Sequence, residues 1–259
     1  MKNAFLAILL VAPTFGLLST MVVNNKMAFF SEAIGHSTLT GIAIGVILGI
    51  GNPLWAMVLF SITLAIVISY VNKNSTSSTD TIIGVFSSTS VAIGTVILSR
   101  GGGFAKYSTF LIGDLLSITP EEIVILLVIF MSVLLFWVAL FNPLVIISMN
   151  RSLANSRRIP VFKIEMLFTI VIAVIVTISI QWVGLLIINS FLILPAATGR
   201  NLAQNIKQYH QISIVTAVFS GIVGLIISYY LGSATGATIV VIMSICYLVT
   251  LIIKKAQNI

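Results

Sequence analysis

Nine apolar runs, near residues 4–23, 28–51, 54–71, 81–99, 122–141, 164–180, 183–199, 212–231 and 238–253, take up most of the chain, each parted from the next by charge, Pro, Gly or Asn, save the sixth from the seventh. A helix needs about 20 predominantly apolar residues to cross the hydrocarbon of a bilayer, and most of the runs come close to that length. No soluble domain of 259 residues can hide the surface of a chain that is 59% hydrophobic and only 7% charged. The sequence therefore predicts an all-α, polytopic membrane bundle of about eight or nine transmembrane helices. Too little sequence lies between the spans to fold separately, so residues 1–259 are expected to form a single transmembrane domain. Lys2 followed by an apolar run resembles a signal peptide, but Ala4 to Val23 is long enough to span and no A-x-A cleavage site follows.

Charge sets the expected orientation. Thirteen Lys and Arg against six Asp and Glu give a net charge of +7, which in a membrane chain reflects the positive-inside bias rather than nucleic acid. Placing the amino terminus outside puts Lys26, Lys73, Arg151, Arg157, Arg158, Lys163, Arg200, Lys207, Lys254 and Lys255 in the cytoplasm and leaves Lys2, Arg100 and Lys106 outside. Ten against three supports that orientation. Cys246 is the only cysteine, so no intrachain disulfide can form.

The connections are short. Asn72 to Asp80 is a polar loop rich in turn-forming residues, and Arg100 to Ser108 is a glycine-rich external loop. Thr109 to Thr119 is too short to span and is expected to form a re-entrant or interfacial helix bearing Asp114. Asn142 to Pro160 is the longest polar connection, its basic residues facing water and anionic headgroups. The sixth and seventh runs, separated by Gln181 and Trp182, form either a tight hairpin or one bent element. Pro195 to His210 turns polar after an apolar span; it is either a short cytoplasmic helix that docks on a partner or a solvated loop, with His210 on the wet surface. Asp80 and Asp114 sit at span boundaries, where they would serve helix termini.

Chemistry concentrates in the second run. In SEAIGHSTLTGIAIG, from Ser31 to Gly45, Glu32 and His36 stand four residues apart in otherwise apolar sequence. On a helix they share a face, and ionisable groups within a span usually turn toward a bundle interior and mark an ion or substrate path. A carboxylate oxygen with an imidazole nitrogen suits zinc, manganese or ferrous iron. The same two residues also suit a structural pair in which the carboxylate orients the imidazole. Two ligands are too few for a stable site, so further ones would come from distant helices or a second copy. Copper fits poorly, because the eight Met lack M-x-x-M spacing and there is one Cys.

Enzyme motifs are missing. G-x-x-x-x-G-K-[ST] does not occur, and Gly232 to Thr238 has no Lys to reach phosphates. If ATP drives this protein, another chain binds it. Neither H-E-x-x-H nor G-x-S-x-G is present.

Five stretches, in order, resemble the permease subunits of ABC importers for zinc, manganese and iron, the ABC-3 family. SEAIGHSTLTGIAIG is similar to that family's acidic-x-x-x-His segment, and DTIIGVFSSTSVAIGTVILS from Asp80 to its Asp-Thr-x-x-Gly helix. FLIGDLLSIT from Phe110 resembles its Phe-Gly-Asp-x-Leu element. VGLLIINSFLILPAATGRNLAQ from Val183 resembles its Val-Gly span ending in Pro-Ala-Ala-Thr and Arg, and SYYLGSATGATIVV from Ser228 its Gly-Ala-Thr ending. The resemblance implies that Glu32 and His36 bind the transported metal, and that the segment of Arg200, Asn201 and Gln204 contacts an ATP-binding subunit. It also implies a homodimer of permeases, an extracellular solute-binding protein that delivers the ion, a bacterial cytoplasmic membrane, and no permanently bound cofactor or nucleic acid. This sequence departs from the family where Glu32 replaces the usual Asp, Gly35 a common Ser and Thr40 a frequent Pro.

The expected function is thus a transport subunit, not an enzyme, that passes a divalent transition metal, zinc first, then manganese, with iron a third option. One alternative is an ion-coupled secondary carrier in which Glu32 and His36 relay protons. Another is an intramembrane metal-dependent hydrolase, which would need at least three converging ligands that the sequence does not visibly supply.

Overall fold

The computed structural model describes residues 1–50, 52–100, 113 and 115–257, and over them the chain forms ten helices and no strand. In chain order these are α1 (Lys2–Asn24), α2 (Phe30–Ile47), α3 (Pro53–Asn74), α4 (Thr79–Arg100), α5 (Pro120–Met149), α6 (Arg151–Ser156), α7 (Val161–Val183), α8 (Leu185–Leu202), α9 (Ile206–Leu231) and α10 (Thr235–Gln257). All but α2 and α6 are long and apolar enough to cross a membrane, which gives eight candidate spans. With 18 residues, α2 is about 27 Å long at the helical rise per residue. Each predicted run has its helix, and the all-α bundle is borne out.

Local chemistry explains where the helices begin. Asn52 caps α3 through a hydrogen bond from Leu54 N at 3.0 Å, with Pro53 in the first turn, where its missing N–H costs nothing. Thr119 and Glu122 form a reciprocal pair at the start of α5: Thr119 N donates to Glu122 Oε2 at 2.8 Å and Glu122 N to Thr119 Oγ1 at 3.4 Å. Asn205 Oδ1 accepts from Gln208 N at 2.9 Å and starts α9 six residues ahead of the predicted run at 212.

Two expectations change. The fifth span does not stop at Asn142; α5 runs through Pro143 to Met149, because the apolar sequence resumes after the Pro and a helix that carries a Pro loses one hydrogen bond but keeps the rest. The polar connection is correspondingly short, consisting of α6 and the turn after it. Gly184 alone separates α7 from α8, with φ 87, a backbone state that glycine adopts freely. The glycine-rich loop and the segment bearing Asp114 lie outside the described residues, except for Gly113 and residues 115–119, which form no helix. Gly113, itself at φ 65, meets the backbone of Gly184 at a distance no Cβ would permit.

The helices group into two compact units. The first comprises Met1–Asn25, Asp114–Ala139 and Leu186–Ile259. Within it α1 lies along α9, and α9 along α10. Gly16 makes the first of these approaches possible, since a Cβ there would sit 2.9 Å from Ala217 Cβ and 3.2 Å from Ile214 Cα. Ile8, Phe15, Leu18 and Phe191 are buried in this unit.

The second unit comprises Lys26–Gly113 and Leu140–Leu185. Here α2 is enclosed by α3, α4 and α7, and Phe30, Ile34, Met57 and Phe168 are buried. Inside a membrane, burial against other helices gains little from the hydrophobic effect, so close contact and interhelical hydrogen bonds carry the association. Thr177 of α7 supplies one such bond, donating to Ser61 Oγ of α3 at 2.6 Å.

Candidate functional site

Enclosure of α2 leaves one part of it open. Between Ser31 and Gly45 only Glu32 is exposed; His36 and Ile44 are half-buried, and the rest are buried. The sequence fixes this through its side chains. Gly41 and Gly45 let α3 close on the helix, Gly35 makes room for Ile180 and Leu185, and the two long polar side chains, Glu32 and His36, occupy the side that remains. His36 Nε2 and Glu32 Oε1 stand 4.0 Å apart with their side chains 43% and 50% exposed. That separation is too long for a hydrogen bond. A tetrahedral ion about 2.1 Å from each donor would need them roughly 3.4 Å apart, so a small rotamer adjustment brings both onto one ion. The i, i+4 expectation is met: both side chains face the same space.

Among the described residues no group of three or more His, Cys, Asp and Glu is placed to hold a metal. The Glu32–His36 pair is a two-donor arrangement. Polar groups that sequence alone does not single out surround it on α2. Ser31 and Ser37 are fully buried with hydroxyls that have no hydrogen-bond partner among the described residues, and Thr40 donates to the carbonyl of Ser90 on α4.

The segment expected to meet a partner lies in the first unit. Arg200 is exposed in the last turn of α8, and Gln204 is exposed in the three-residue connection to α9. Asn201 differs: its Nδ2 donates to Thr250 Oγ1 of α10 at 3.2 Å, so it anchors the segment rather than presenting a free side chain. The connection is held at both ends, by Ala203 N to Gly199 O at 2.8 Å and Gln204 N to Gln208 Oε1 at 3.0 Å.

His210 is not on the wet surface as expected. It is 8% exposed, with Nδ1 2.8 Å from Ile206 O and its ring 5.2 Å from that of Trp137. The early start of α9 explains the difference, because it places His210 one turn inside the helix and turns it inward. Asp80 sits in the first turn of α4, a position where a carboxylate complements the helix dipole.

Known proteins share this sequence pattern and fold. Residues 1–254 match the ABC 3 transport family. The chain is 29% identical to the high-affinity zinc uptake system membrane protein ZnuB of Haemophilus influenzae, over 90% of each sequence. It is also 29% identical to the manganese import system permease protein ScaB of Streptococcus parasanguinis, over 100% of this chain and 92% of that one. Among solved structures, PsaBC from Streptococcus pneumoniae in complex with Fab superposes with a TM-score of 0.82 at 26% identity, covering 96% of this chain and 90% of that one. A match that runs almost end to end, on a chain with eight candidate spans, is to a whole fold and not to a shared motif. The chain belongs to the ABC 3 transport family.

Proposed function

We propose that this chain is the membrane-spanning permease subunit of an ATP-driven importer of divalent transition-metal ions, acting as one domain in a bacterial cytoplasmic membrane, with zinc the first candidate cargo and manganese the next. The observation that carries the proposal is the Glu32–His36 pair, 4.0 Å apart on the open side of a helix that is otherwise largely buried from Ser31 to Gly45. The relatives named for zinc uptake and for manganese import support the same class of cargo.

Glu32 would offset the charge of the ion and His36 would add a borderline nitrogen, a combination that accepts zinc and manganese. Two donors hold an ion briefly, which suits a path that must release its cargo. A second copy of the chain, or water, would complete the coordination. ATP hydrolysis falls to a separate ATP-binding subunit, because the sequence has no phosphate-binding loop with its Lys. That subunit would meet Arg200 and Gln204, while Asn201 keeps the segment in place. An extracellular binding protein would deliver the ion.

The test is ATP-driven uptake of zinc and manganese in proteoliposomes holding the permease with its ATP-binding subunit and binding protein. Glu32→Ala and His36→Ala should each abolish uptake while assembly and basal ATP hydrolysis persist. Undiminished uptake in both variants would make the pair structural. Uptake by the permease alone, driven by a proton gradient, would replace the ATP-driven reading with a secondary carrier.

A further inference from the structure

The second unit carries a charged surface made of residues other than the Glu32–His36 pair. At the end where α3 finishes and α7 begins lie five cations, Lys73, Arg151, Arg157, Arg158 and Lys163, against two carboxylates, Asp80 and Glu165. That these groups share one end is shown by two contacts. Lys73 Nζ lies 4.4 Å above the ring of Phe162, and Thr79 Oγ1 donates to Asn72 Oδ1 at 3.0 Å.

Pairing is uneven within the group. Arg151 is occupied, with Nη2 2.8 Å from Glu165 Oε1. Arg157, Arg158 and Lys163 are exposed, and among the described residues no carboxylate pairs with them. Beside them, apolar side chains also face outward: Met149 is 72% exposed and Leu153 45% exposed. The segment joins two candidate spans, so it lies where the chain leaves the hydrocarbon.

Backbone conformation adds an independent observation. Helix α6 closes with Arg158 N donating to Asn155 O at 2.9 Å and Ile159 N to Ala154 O at 3.1 Å. In this type of helix end the residue after the cap adopts a left-handed conformation and is usually Gly. Here that residue is Arg158, at φ 57, where a side chain is disfavoured relative to Gly. The turn therefore holds Arg158 at a local conformational cost.

We infer that α6 and the turn after it, with Arg157, Arg158 and Lys163 as the main contacts and Lys73 beside them, form a docking surface for anionic phospholipid headgroups. A bilayer surface satisfies both parts of the patch: guanidinium groups take phosphate oxygens in bidentate fashion, and Met149 and Leu153 enter the upper acyl region. An acidic protein surface would satisfy the charges alone. The attraction of such cations for an anionic leaflet is additive to first order and weakens with salt. This inference is independent of the proposed cargo.

The test uses the full-length permease in neutral detergent, titrated with phosphatidylglycerol or phosphatidylcholine of the same acyl chains and read by native mass spectrometry. Wild type should retain phosphatidylglycerol in preference to phosphatidylcholine. Each cation removed should cut that preference about fivefold, so Arg158→Gly should lower it once and the Arg157→Gln/Arg158→Gly double variant twice. Because Gly suits the left-handed site, Arg158→Gly should keep or raise the thermal midpoint, which separates lost binding from lost folding. Equal retention of the two lipids by wild type, or an unchanged preference in the double variant, would overturn the inference. So would a double variant that keeps its lipid preference but no longer co-purifies with the ATP-binding subunit, because the patch would then be a protein contact.

Discussion

Thr40 on α2 donates its hydroxyl to the main-chain carbonyl of Ser90 on α4, one turn before Gly94, and the missing side chain of Gly94 is what lets the two helices come that close. A Cβ on Gly94 would stand 2.5 Å from Thr40 Oγ1, 2.8 Å from its backbone N and 2.9 Å from its Cα. The hydroxyl could turn away; the backbone could not. Gly94→Ala should therefore push α4 off the helix that carries Glu32 and His36, at an overpacking cost of about 1–3 kcal/mol. The expected result is a lower thermal midpoint in detergent together with reduced metal uptake. Thr40→Val removes only the hydrogen bond and should cost about 0.6 kcal/mol, the average for such bonds in membrane proteins. An unchanged midpoint in Gly94→Ala would show that the helices do not meet at this residue.

Glu32→Asp tests whether the length of the carboxylate matters. The substitution keeps the charge and withdraws the oxygens by one methylene, from a pair already 4.0 Å apart. Uptake should persist but with an altered ratio of zinc to manganese, since zinc holds to about 2.0–2.2 Å from its donors. By contrast Glu32→Gln, which keeps the length and loses the charge, should lower uptake by no less than the roughly 10–100-fold seen on removing an outer-shell partner. Competition uptake with both ions present measures both effects.

How much of this is visible in the sequence depends on the range of the interaction. The spans are plain, because a run such as Ala4 to Val23 states its own environment, and Glu32 with His36 is plain because i, i+4 spacing is a local property of helices. What α2 touches is not local. Thr40 and Ser37 look alike in the sequence, yet one hydroxyl reaches α4 and the other has no partner among the described residues, a difference made by the placement of Ser90 fifty residues away. His210 shows the same limit from the other direction. Its burial follows from the start of α9 at Asn205, a cap that resembles any other Asn in a polar stretch. Pro143 reads as a stop in water-soluble sequence and is carried inside α5 here.

Asn201 and Arg200 are neighbours with different surroundings, one bonded and one exposed, and their substitutions should separate. Asn201 Nδ2 is bonded to Thr250 Oγ1 at 3.2 Å, a contact within the first unit. Losing it should cost about 0.5–1.5 kcal/mol and loosen the connection before α9. Thr250→Val should then reproduce the effect of Asn201→Ala on co-purification with the ATP-binding subunit, although Thr250 itself lies on another helix. Arg200→Ala should weaken co-purification with little change in thermal midpoint, because the exposed guanidinium has only a weak electrostatic link to Tyr209 within the chain. If Thr250→Val leaves assembly untouched while Asn201→Ala disrupts it, Asn201 contacts the partner directly.

Ser61 and Thr177 form a two-step chain of hydroxyls between α3 and α7, in which Thr177 Oγ1 donates to Ser61 Oγ at 2.6 Å and Ser61 Oγ donates to Met57 O at 2.8 Å. The direction of donation makes the two ends unequal. Thr177→Val removes a donor, and Ser61 keeps its own bond to Met57, so the cost should be near 0.6 kcal/mol. Ser61→Ala removes the acceptor and strands a buried hydroxyl on Thr177, for which about 1–3 kcal/mol is expected. The double variant has no stranded group and should be as stable as Thr177→Val or nearly so, giving a coupling that a sum of the single effects misses. Thermal or denaturant unfolding of the four proteins in one detergent measures the cycle. Additive losses would mean that the two side chains do not interact.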